Sequence, residues 1–168
     1  MGAWLKIFID ICLFRQGPQV LPPSLALLGL TLGAYFCVGF ALAALTLPWS
    51  RALLAGAADT LILTFFTYAV LNLKRRLGRF VQTLSALAGS LALIGALSFL
   101  PTLGLYRAQM QGQTPTLHVF ILLAILIWNI AVIAHVLRYA LSMPLGLSAL
   151  LSLAYVFMSL SLLQVLFG

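Results

Sequence analysis

One carboxylate in this chain stands where a carboxylate is costly. Asp59 lies in a long apolar run with Thr60, Thr64 and Thr67 close behind it. At 100° per residue these three and Gly56 fall within about 140° of Asp59 on a helix. Leu54, Leu61, Ile62, Phe65 and Phe66 fall on the other side, where lipid contact is expected. An intramembrane carboxylate costs about 2.5–3.5 kcal/mol on insertion scales and usually faces the bundle interior or a cavity. Its chemistry is that of an ion- or proton-responsive group, or of a receptor for a cation. The plainer reading is a protonated or hydrogen-bonded carboxyl that locks helices together.

A second set comprises His118, Asn129, His135 and Arg138. His118 and Asn129 are eleven apart, nearly one helix face. An amide at mid-membrane serves as an interhelical hydrogen-bonding group worth about 1–2 kcal/mol at most. His135 and Arg138 share another face, where snorkelling to the interface is expected. Two histidines at opposite ends of one helix, with no HExxH, argue against zinc. No metal and no cofactor is indicated. There is no paired carboxylate, no nucleophile with an evident base and no Gly-rich phosphate loop beside a lysine. The residues argue against an enzyme.

The elements that must hold these groups follow from composition. Of 168 residues, 64% are hydrophobic and 7% charged, against about 45–50% and 25% in a soluble domain. So few charges cannot cover a surface that meets water. Five segments reach the roughly 20 apolar residues that a spanning helix needs: 24–47, 52–73, 80–100, 117–137 and 145–167. They lack the period-two alternation of barrel strands. The sequence predicts an all-α polytopic bundle forming a single membrane domain.

Nine basic residues against two acids give a net charge of +7. With the N-terminus cytoplasmic, Lys6, Arg15, Lys74, Arg75, Arg76, Arg79 and Arg138 lie inside, and only Arg51 and Arg107 lie outside. That satisfies the positive-inside rule and places the C-terminus outside. The charge therefore marks topology, not nucleic acid. Residues 1–16 carry Trp4, Leu5, Phe8, Ile11 and Cys12 at roughly helical spacing, with Lys6 four before Asp10. They predict an amphipathic helix lying in the cytoplasmic interface with Trp4 at headgroup depth. Cys12 and Cys37 show no metal spacing and read as small apolar side chains.

Gly29 and Gly33 form a GxxxG pair, and Ala88, Ala92 and Ala96 a small-residue ladder; both let helices approach closely, with packing inside the bundle expected ahead of the alternative, a dimerisation face. Lys74, Arg75, Arg76 and Arg79 are candidates for contact with anionic lipid, at about 1 kcal/mol per basic residue, or are topology determinants only.

The short cytoplasmic amphipathic segment, the run Phe14–Arg15–Gln16–Gly17–Pro18 before the first span, and five closely spaced spans resemble the bacterial Yip1-like membrane proteins. The resemblance covers most of the chain in hydropathy and little in residue identity. It implies a membrane scaffold or adaptor and transfers no site residue. The expected function is a small non-enzymatic accessory subunit of a larger inner-membrane assembly, with membrane lipids and a membrane-protein partner or a second copy as contacts. The competing expectation is a small transporter or ion-conducting oligomer using Asp59, with Thr60, Thr64, Thr67 and Asn129 as its polar surroundings.

Overall fold

The computed structural model describes residues 2–167. Six α-helices follow one another: α1 (Gly2–Cys12), α2 (Leu25–Ala43), α3 (Trp49–Leu73), α4 (Phe80–Met110), α5 (Thr116–Leu141) and α6 (Leu145–Phe167). No strand occurs among the described residues. Helices α2 to α6 are each long and apolar enough to cross a membrane. The protein is an all-α integral membrane bundle.

Helix ends depart from the hydropathy in instructive ways. The first span is shorter than 24–47: Ser24 caps α2 by accepting from the Leu27 N–H at 3.4 Å, and residues 44–47 form a turn. Helix α3 starts at Trp49, directly after Pro48, so Arg51 is helical and Asp59 lies roughly 15 Å along the helix at 1.5 Å per residue. The third span does not stop at Pro101. Helix α4 runs through it to Met110, because Leu103–Tyr106 remain apolar and the Thr102 hydroxyl donates to the Ser98 carbonyl at 2.7 Å. Spanning helices tolerate proline where Ser or Thr side chains compensate for the disturbed backbone bonding. Helix α5 likewise continues past residue 137 and takes in Arg138.

The helices α4–α2–α3–α6–α5 are successive neighbours in a closed ring, and α4 touches α1 and α3 as well. Burial is concentrated at one end. On α4 every residue from Thr83 to Ala92 is buried, and on α5 every residue from Val132 to Leu137. Small residues explain the density on α4: Ser85, Ala86, Ala88, Gly89, Ser90 and Ala92 let neighbouring helices approach closely.

Helix α1 is not a surface rim. Phe8, Ile11 and Cys12 are buried, and the Phe8 ring occupies the space a Cβ at Gly89 would take. Gly89 is nine residues beyond Phe80, roughly 14 Å along α4. At its other end the Cys12 carbonyl accepts from Trp128 Nε1 of α5 at 2.9 Å. One part of the apolar surface of α1 is therefore docked into the flank of the bundle, while Trp4, Leu5 and Ile9 stay exposed. Asp10 pairs at 3.8 Å with Arg15 rather than Lys6.

Candidate functional site

A close helix crossing at Gly56 creates the site. A Cβ on Gly56 of α3 would meet the Phe40 backbone nitrogen at 3.1 Å, and a Cβ on Gly39 of α2 would meet Gly56 Cα at 3.9 Å. The two backbones cross in contact there. That crossing brings Tyr35, one turn before Gly39, within reach of Asp59, three residues after Gly56. The Tyr35 hydroxyl donates to Asp59 Oδ2 at 2.6 Å. From α6, the Ser159 hydroxyl donates to Asp59 Oδ1 at 2.9 Å. The Tyr155 hydroxyl stands 3.5 Å from that of Tyr35, and its ring packs on Phe66 at 4.9 Å between centroids. One carboxyl thus joins three helices.

A cavity of about 300 Å³ opens beside this cluster. Asp59, Tyr35, Tyr155 and Ser159 line it from α2, α3 and α6, and Asn129 lines it from α5. No Lys, Arg or His lines it. The sequence-predicted pair Asp59 and Asn129 is therefore brought to one place. His118 is not: its imidazole lies over Gly104 on α4, in the space a Cβ there would occupy.

The threonines belong to the helix, not to the site. Thr60, Thr64 and Thr67 each donate at 2.8 Å to the carbonyl four residues earlier, on Gly56, Thr60 and Leu63. Their hydroxyls are satisfied by their own backbone, as mid-helix hydroxyls commonly are. Phe66 corrects the expected lipid face. It is buried, because seven residues at 100° each return it to within about 20° of Asp59, on the face where Tyr155 of α6 packs.

The partners of Asp59 carry a sequence signal of their own, outside α3. On α6, Ser148, Ser152, Tyr155 and Ser159 recur at intervals of three or four and are all buried. A polar stripe at that spacing marks a helix face turned to protein. A tyrosine in mid-span, where lipid gives its hydroxyl nothing to bond, is a second signal, since tyrosine in membrane helices is concentrated at the interfaces.

At the opposite end His135 does not snorkel. It is buried, with Nε2 3.0 Å from the Gln16 carbonyl, and the Phe14 ring meets it edge-on. A carbonyl only accepts, so the Nε2 proton is fixed. The basic cluster divides. Arg76 donates to the Ser142 hydroxyl at 2.6 Å, and Arg79 reaches the Tyr139 and Ala140 carbonyls at 3.3 Å, satisfying groups left open at the end of α5. Lys74 and Arg75 are exposed and remain the members best placed for lipid phosphate.

The glycine pair of α2 also overturns its expectation. Gly29 and Gly33 are exposed, and a Cβ on either would meet nothing within 4 Å. Their flat face points away from the bundle. Ala88 and Ala92 do pack inward as expected, while Ala96 is exposed. No protein-family model, no curated protein and no solved structure matches this chain.

Proposed function

We propose that this is a small non-enzymatic subunit of a larger membrane assembly, set in a bacterial inner membrane with its N-terminus cytoplasmic. The carrying observation is the outward face of α2, where Gly29 and Gly33 offer a close-approach surface that the protein's own helices leave unused. Such surfaces associate by backbone proximity and van der Waals packing, since lipid gives helices no hydrophobic reason to meet. The orientation rests on Lys74, Arg75, Arg76, Arg79 and Arg138 standing together at the α3–α4 and α5–α6 ends. The resemblance to Yip1-like proteins points the same way.

The test is purification from native membranes in mild detergent. A stoichiometric membrane-protein partner is expected with the wild-type chain. Gly33→Leu, whose new side chain projects into open space, is expected to keep the helical content and lose that partner. A chain that runs alone as a monodisperse monomer, or one whose partner survives Gly33→Leu, contradicts the proposal. A second reading, solute or ion handling at Asp59, is favoured by the cavity that Asp59 shares with Asn129. The end of the bundle beyond Asp59 is filled by Leu63, Leu87, Ile133, Val136 and Leu137, which favours binding at Asp59 over passage through a single copy of the chain.

A further inference from the structure

The cavity beside Asp59 has a chemistry of its own. A carboxylate with two oxygens has about four lone-pair sites, and Tyr35 and Ser159 take one each. The remaining acceptor capacity stands at the wall of a space of about 300 Å³, at the small end of the range for ligand pockets. Among the described residues no basic side chain lines that space, and the one ion pair found among them lies elsewhere, between Arg15 and Asp10. The Asn129 side chain on α5 forms no hydrogen bond to the described residues and lines the same space. Most of the remaining wall is leucine, isoleucine and valine. The site therefore combines an acceptor without a countercharge, a free amide and a hydrocarbon lining.

The geometry points to this cavity as a binding site for a small lipophilic amine, held as its ammonium cation at Asp59. The ammonium supplies the countercharge and donates to the free lone pairs, a charge-assisted contact of the stronger kind. The apolar body fills the lining, and Asn129 bonds any further polar group. A bare divalent cation fits worse. Calcium takes 6–8 oxygen ligands and magnesium about six, whereas this wall is chiefly hydrocarbon. A neutral apolar molecule would leave the carboxylate uncompensated. The two hydroxyls that tie α2 and α6 to Asp59 hold the acceptor in place before the ligand arrives, which lowers the cost of binding. The inference is independent of the assembly reading: an isolated monomer would still bind the amine.

The experiment compares 2-phenylethylamine with 2-phenylethanol, which share a body and differ at the ammonium. Calorimetric titration uses the full-length protein in detergent micelles, with empty micelles subtracted. The amine is expected to bind at least about tenfold more tightly than the alcohol, a difference of about 1.4 kcal/mol. Asp59→Asn should abolish that preference. Gly39→Ala is the variant that guards against misfolding. Its methyl would stand 4.0 Å from Asp59 Oδ2, in ordinary contact, so the bundle is kept while the approach to the carboxylate narrows, and amine affinity should fall several-fold. Equal affinity for amine and alcohol, a preference that survives Asp59→Asn, or no amine binding by folded wild-type protein at millimolar concentration would each overturn the proposal.

Discussion

The two ends of the bundle are built differently from the same kind of sequence. Where α4 begins and α5 ends, the helices are sealed: Thr83–Ala92 and Val132–Leu137 are continuously buried. Helix α1 and the Pro18–Val20 turn pack there as an additional wall. From Gly95 to Met110 on α4, and from Thr116 to Ala131 on α5, no residue is buried. Asp59 and its cavity lie at the boundary between these halves. The contrast teaches that hydropathy alone does not set packing density. Small residues and added chain segments do. The sealed end holds the fold, and the looser end leaves room for a ligand.

Leucine truncation breaks the comparison most severely if it is wrong. Leu137 is completely buried in the sealed end, whereas Leu126 lies 37% exposed beside the cavity. Leu137→Ala is expected to cost about 2 kcal/mol, the low end for a buried leucine, because lipid is itself apolar and removes most of the transfer contribution. Leu126→Ala should cost well under about 1 kcal/mol. Reversible unfolding in mixed micelles checks both, and equal costs would erase the distinction between the two ends.

A smaller effect sharpens it at the turn that closes the sealed end. Arg75 has φ 54°, the left-handed conformation that glycine adopts without strain. The Arg76 N–H returns to the Leu71 carbonyl at 2.8 Å there, as in a helix-terminating turn that favours glycine. Arg75→Gly is expected to stabilise the protein by about 1 kcal/mol, read as a raised unfolding midpoint in the same assay. An unchanged or lowered midpoint would mean that the arginine side chain contributes more than its backbone costs.

Much of the fold was legible because spanning helices are constrained by length and hydropathy alone. The fifth span matches α6 residue for residue. Pro101 misled because a chain in lipid has no water to satisfy an opened backbone, so a spanning helix continues through a proline that would end one in water. Helix α1 was legible from its amphipathic spacing, but what covers Phe8 was not: Gly89 on a distant helix decides that. The site was half legible. Asp59 and Asn129 announce themselves by being polar where polarity is expensive. Tyr35 and Ser159 depend on which helices touch, and that is set by the α2–α3 crossing at Gly56, which periodicity within one span does not encode.

The central claim is that Asp59 sits between a sealed half and an open one. It is tested most directly by single-cysteine labelling in a Cys12→Ser, Cys37→Ser background, using a small membrane-permeant maleimide on protein in native membranes. Asn129→Cys is expected to be labelled rapidly and Ser85→Cys hardly at all, because Asn129 lines the cavity and Ser85 is wholly buried. Labelling of Ser85→Cys as fast as Asn129→Cys, with the bundle still folded, would contradict the account.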